Sequence, residues 1–388
     1  MNDRKLIDVL LRAVSYILVA AVASCATLFF FVRPEKADKL DELRALIQTS
    51  FIGEVTDTQL DDGAAAGMIA ATGDKWSYYI SAAEYGAHME QMNNEYVGIG
   101  VTITTAEDES GFRVLSVEAG SGAEEAGIQA GDVICRVAGQ SAVELGVTGA
   151  KELIRGDADT KVELAVLRDG EELTFEVVRK RIKIVVAKSE MLPDNIGLIT
   201  IENFDERCAE ETLAQIDSLL EQGAKALIFD VRFNPGGYKK QLVEILDRLV
   251  PEGPIFRSIS NTGEEIVSQS DAEQLDIPMA VLMNAYSYSA AEFFAAALSE
   301  YDKAVLVGEA TTGKSYFQNT ILLSDGSAVA LSVGKYCTPN GVSLAEVGGL
   351  KPDVEVQVDE ETWYKIYAGN LPAAEDPQIQ AAIAALTQ

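Results

Sequence analysis

Residues 279–318 read MAVLMNAYSYSAAEFFAAALSEYDKAVLVGEATTGKSYFQ, and the fold class follows from this stretch. Met279–Met283 is a short, continuous apolar run of the length a buried strand needs. AAEFFAAALSEY is long enough for a helix and carries almost no charge, which suits a helix packed against a sheet. KAVLVG, ending at Gly308, is a second buried strand. A strand, a helix and a second strand in close succession imply a crossover between parallel neighbours.

The same alternation continues upstream. GLITIENF is a strand, EETLAQIDSLLEQG a helix that stops at Gly223, KALIFDVR a buried strand and YKKQLVEILDRLV a helix. Residues 184–350 therefore form an α/β layer with a largely parallel sheet. Ligands of such sheets sit beyond the carboxyl ends of the strands. Three loops fall there: FNPGG at 233–237, AYSYS at 285–289 and EATTGKS at 309–315.

The run from Gly308 to Ser315 matches G-x-x-x-x-G-K-[ST], the phosphate loop of nucleotide-binding proteins. That loop requires a helix next, whose N-terminus receives the phosphates. Here YFQNTILLSDGSAVALSV follows, which is aromatic and β-branched around a Ser-Asp-Gly-Ser turn. It reads as a hairpin, so nucleotide binding is the remote alternative.

The chain holds one histidine, His88, in a polar amphipathic stretch. A three-histidine or HExxH zinc site cannot be built from it, and surface packing is its ordinary role. Cys25, Cys135, Cys208 and Cys337 are widely spaced with no CxxC pair, so neither a metal cluster nor a dense disulfide framework is expected. No cofactor is implied. A serine can still be activated without histidine if burial lowers a lysine pKa enough to leave a neutral amine. Lys314 sits on a glycine-bounded loop between apolar segments. Ser289 opens the apolar helix, where the helix N-terminus favours a developing oxyanion. An ordinary N-cap serine and a solvated loop lysine are the bland readings of the same residues.

VRFNPGG, VLMNAYSYSAAEFFAAAL and VGEATTGKSYFQ, in this order, resemble the motifs of the carboxy-terminal processing (tail-specific) serine proteases. The tail motifs YCTPNG, GGLKPDVEV and DPQIQAAI extend the likeness. The resemblance implies a crotonase-like α/β core with a Ser-Lys-Gln arrangement: Ser289 as nucleophile, Lys314 as base and Gln318 orienting the lysine amine. It also implies an oxyanion hole from backbone N–H groups around Gly236, Gly237 and Ala290. The adjacent glycines suit the close backbone approach such a loop needs. The sequence departs from the family at Phe233, Tyr286, Tyr288 and Ala291, which bears on substrate preference more than on chemistry.

Between residues 96 and 183 the pattern changes to short β-branched runs, with GSGAEEAGIQAGDVI and the helical GAKELIRG among them. This succession resembles a PDZ domain, which adds a peptide as an extra strand and holds its terminal carboxylate on backbone N–H groups. By that resemblance Val97, Gly98, Ile99 and Gly100 form the carboxylate loop. The family resemblance further implies that an empty PDZ domain can block the active site. Arg155 is the candidate that reports peptide binding to the core, a surface charge being the ordinary reading.

At the N-terminus, Val14 to Val32 is a run of 19 residues without a charge, preceded by Arg4, Lys5 and Arg12. Its length matches a single membrane crossing with the N-terminus cytoplasmic. A cleaved signal and a lipoprotein box at Val22–Cys25 are the competing readings. The expected organisation is a cytoplasmic stub (1–13), a transmembrane anchor (14–32), a helical region (37–95), a PDZ domain (96–183), a protease core (184–360) and a helical tail (361–388). A net charge of −30 argues against a nucleic-acid partner. The expected partners are protein or peptide substrates with free C-termini, the membrane through the N-terminal helix, and further copies of the chain in a homo-oligomer. The expected function is a membrane-bound endopeptidase outside the cytoplasm that cleaves near substrate C-termini; a catalytically weak PDZ scaffold is the alternative.

Overall fold

A computed structural model describes residues 12–23, 38–106 and 110–387. They fall into two units, Met1–Gly73 and Asp74–Gln388. In the first unit, residues 12–23 are helical, followed by helices Lys39–Ser50 and Asp57–Ala70. Thr56 starts the latter with a capping box, its side chain accepting from Gln59 N while Gln59 returns to Thr56 N. Of the anchor expected over 14–32, residues 24–32 lie outside the described residues. Among the described residues no helix is long and apolar enough to cross a membrane.

The second unit is built on a six-stranded sheet. Its order is Ala187–Leu192, Ile196–Ile201, Ala226–Asp230, Met279–Met283, Ala304–Gly308 and Val354–Glu355. The first pair is antiparallel and the others are parallel. Alternation along each strand supplies two cores. Phe229, Val281 and Met283 face one side, where they join Ile216, Leu246 and Phe294 of three helices. Ile228, Ala280 and Leu282 face the other side and meet Ile379 and Ala382 of the tail helix Pro377–Leu386. Burial on both faces explains why these strands read as unbroken apolar runs.

A second sheet carries the loop-bearing hairpin. Tyr316–Leu322 pairs antiparallel with Ala328–Cys337, as the aromatic and β-branched run implies. No helix follows Ser315, so the phosphate-loop reading of Gly308–Ser315 fails. Residues 37–95 are not helical throughout: Tyr78–Ile80 is a strand opposite Ala328–Ala330. Its aromatic and β-branched residues suit a pleated edge better than a helix.

The strands from Val101 to Val178 form a separate sheet in which Val101–Thr105 is an edge, over a core of its own around Ile99, Phe112, Ile134 and Leu164. The chain enters and leaves this module through a two-stranded ribbon, Glu95–Gly98 against Lys180–Lys183. Arg207 clasps its base, donating to the carbonyls of Asn94 and Ile184 at 2.6 Å.

Candidate active site

Ser289 lies between strand Met279–Met283 and helix Ala290–Glu300, with φ 57° and ψ −125°. A non-glycine residue at such angles is strained and persists only where its surroundings impose it. Two partners do so here. The Ser289 N–H donates to Glu292 Oε2 at 2.8 Å, and the Ser289 carbonyl accepts from the N–H groups of Glu292 and Phe293. The neighbouring Ser287 is fully buried, and its hydroxyl is committed to the Val231 carbonyl at 2.7 Å.

The glycine loop comes directly against this turn. A Cβ on Gly236 would lie 2.7 Å from Ser289 Cβ and 2.9 Å from Ala290 N. Gly237 has φ 149°, and a Cβ there would meet the Phe204 carbonyl carbon at 2.2 Å. Only glycine fits either place. The Gly236 N–H donates to Asn234 Oδ1 at 2.9 Å, so in this conformation it is turned within its own loop. Asn284 ties the two loops together: its Oδ1 accepts from Phe233 N at 3.1 Å and from Tyr286 N at 3.0 Å.

Phe233, Tyr286 and Tyr288 fall into two aromatic groups. Phe233 and Tyr286 stack at 5.9 Å and pack with Trp363. Tyr288 meets Trp76 at 6.0 Å.

Lys314 is brought to the same place by the buried carboxylate of Glu292. That group accepts from Ser289 N, Lys314 N at 2.8 Å, Gly313 N at 2.6 Å and the Thr311 hydroxyl. Burial pushes the Glu292 pKa up, and these four donors pull it back. Lys314 Nζ lies 4.7 Å from the Trp76 ring centroid and 6.0 Å from that of Tyr288. Burial lowers the lysine pKa below its ordinary value, against the attraction of Asp74 and Glu292. The Glu292 carboxylate thus ties the loop that carries a partly desolvated amine to the turn that carries a strained serine at a helix N-terminus, the pairing of groups that a lysine-activated serine needs. Gln318 Nε2 donates to the Tyr316 carbonyl at 3.0 Å and to Ser332 Oγ at 2.9 Å.

In the module entered at Glu95, Val97 and Gly98 belong to the entry ribbon, and the carbonyls of Ile99 and Gly100 accept from Ala123 N and Glu118 N. Gly100 has φ 77°. Arg155 caps the end of helix Ala142–Ile154 and is exposed; its charge acts on the hydroxyl of Tyr96, the residue before this loop. His88 packs edge-on against Tyr78. Among the described residues no group of His, Cys, Asp or Glu could hold a metal ion.

Glu292, Asn284, Asp74 and Trp76 were not expected at the site. Only Glu292 has a local signature, since Ser289-Ala-Ala-Glu292 has capping-box spacing.

The model of peptidase family S41 matches residues 195–356, and a PDZ-domain model matches residues 113–168. The chain is 33% identical over 359 residues to the carboxy-terminal processing protease CtpA of Bacillus subtilis (strain 168), covering 89% of this chain and 76% of that protein. It is 31% identical over 327 residues to a carboxyl-terminal-processing protease of Synechocystis sp., covering 82% and 75%. The solved photosystem II D1 C-terminal processing protease is 26% identical with a TM-score of 0.48, covering 81% of this chain and 86% of that one. The chain belongs to peptidase family S41, among the carboxy-terminal processing serine proteases, and carries a PDZ domain.

Proposed function

We propose that Ser289 attacks the scissile carbonyl while the neutral amine of Lys314 takes its proton. The resulting ammonium returns that proton to the leaving amine, and water then hydrolyses the acyl-enzyme by the same route. The observation that carries this reading is the shared Glu292 carboxylate, which binds the backbone of both residues. The oxyanion would lie at the helix N-terminus, on Ala290 N and the glycine loop, where fixed donors stabilise developing charge. The Gly236 N–H would leave Asn234 to reach it. Gln318 would act on the lysine through its neighbours.

Substrate C-termini would dock beside the edge strand Val101–Thr105, with the carboxylate at Val97–Gly100 and Arg155 close by. Amidating a peptide's terminal carboxylate then weakens cleavage; equal cleavage of free and amidated peptides removes the docking reading. The apolar run 14–32 supports a membrane anchor that holds the catalytic part outside the cytoplasm. Protease added to spheroplasts then digests the catalytic part, and complete protection until lysis contradicts this topology. A serine-directed acylating probe tests the chemistry: wild type is labelled and Ser289→Ala is not. Equal labelling of both removes Ser289 from its role.

A further inference from the structure

The segment DKWSYYI at 74–80 lies more than 200 residues before the loops that carry Ser289 and Lys314. Its strand Tyr78–Ile80 nevertheless pairs with Ala328–Ala330, in the hairpin that follows Lys314. The turn before that strand brings Trp76 to the lysine. Lys314 Nζ is 4.7 Å from the indole centroid, Lys75 Nζ approaches the same ring at 4.6 Å, and the ring also meets Tyr288, the neighbour of Ser289.

Asp74 is braced beside them. Its carboxylate accepts from Trp76 N at 3.1 Å and from the Ser77 hydroxyl. The Ser332 hydroxyl also bonds it, and Ser332 Oγ in turn receives Gln318 Nε2. Burial pushes the Asp74 carboxyl up, but the bonds from Ser332, Ser77 and Trp76 outweigh it and hold the group below the ordinary carboxylate range. Asp74 is thus ionised at neutral pH. The charged groups acting on Lys314 are Asp74 from this turn and Glu292 from the nucleophile helix, and Lys75 lies over the same indole.

We propose that Asp74 and Trp76 are positioning residues for the Lys314 amine: the indole face holds the amine beside Tyr288, and the Asp74 carboxylate stabilises the ammonium formed when Ser289 gives up its proton. This rests on the reading of Lys314 as the base. No proton passes to Asp74; the proton taken from Ser289 Oγ stays on Nζ until the leaving amine receives it. A cation over an aromatic face is attracted by the ring's negative quadrupole, more strongly where water is excluded. The Gln318–Ser332–Asp74 chain also gives Gln318 a route to the lysine that does not require a direct bond.

The test is the pH dependence of Ser289 acylation by a serine-directed probe, measured on the full chain. In wild type the rate rises as the lysine loses its proton. Asp74→Asn removes a charge that favours the ammonium, so this acidic limb moves to lower pH, and Asp74→Glu restores it toward wild type. Trp76→Ala admits water and lowers kcat by roughly tenfold with KM changed less, while Trp76→Phe keeps most of the rate. The midpoint of the limb does not depend on how much enzyme folds, so a merely structural loss lowers the plateau and leaves the midpoint in place. An unmoved limb in Asp74→Asn overturns the proposal. If Lys314→Arg keeps the wild-type acylation rate, the base reading itself fails, which is a separate outcome.

Discussion

The backbone N–H groups of Ser289 and Lys314 donate to the same oxygen, Glu292 Oε2, each at 2.8 Å. The nucleophile turn and the lysine loop come from different strand ends, and a buried carboxylate fixes one against the other. Glu292→Gln keeps the shape but presents an amide NH2 to donors on one side. The unmatched donors cost about 1–3 kcal/mol of stability, and Ser289 and Lys314 lose register. A lower urea midpoint together with at least a tenfold loss of kcat is expected; unchanged kinetics would remove Glu292 from this role.

Gly236 is the closest approach of the glycine loop to the nucleophile. Its φ is 92°, and a Cβ there would stand only 2.7 Å from Ser289 Cβ, which leaves no room for a side chain. Gly236→Ala pushes the loop away from Ala290 N. With the proposed oxyanion hole, losing one donor lowers kcat by about 10²–10³, and the drop should appear in single-turnover acylation with peptide binding little changed.

Much of this was legible in the sequence because it is local. Apolar runs of strand length, the adjacent glycines at 236 and 237, and the β-branched residues after Ser315 each announce their structure within a few positions. The strand Tyr78–Ile80 was missed because its partner, Ala328–Ala330, is remote in sequence. Trp76 and Asp74 reach the lysine only through that pairing. Gln318 was placed by resemblance, and its actual bonds to Tyr316 and Ser332 depend on the register of the hairpin, which shifts between Phe317 and Gln318. No periodicity reveals such a shift.

Arg232 links the glycine loop to the tail. It is buried between Asp230 and Asp376, and donates to Asp376 Oδ2 at 2.8 Å and to Gln378 Oε1 at 2.9 Å. Asp376 also caps the tail helix through Gln378 N and Ile379 N. Arg232→Met strands two buried carboxylates and costs about 3–5 kcal/mol, read as a fall in the urea midpoint. Removing the tail from residue 376 onward leaves the arginine with Asp230 as its one carboxylate partner and lowers both stability and kcat. Full activity in the truncated chain would show that the loop does not depend on the tail.

The role of Lys314 is tested most directly by the pH–rate profile of peptide hydrolysis in wild type and Lys314→Arg. Burial lowers the lysine pKa from its ordinary value, so kcat/KM of wild type rises with an acidic limb below the usual lysine range, as the ammonium becomes a neutral amine. Arginine stays protonated throughout this range, so Lys314→Arg should fold, keep the positive charge and lose hydrolysis at every pH. Peptidase activity in Lys314→Arg at the wild-type level, with the same acidic limb, would contradict the Ser289–Lys314 mechanism.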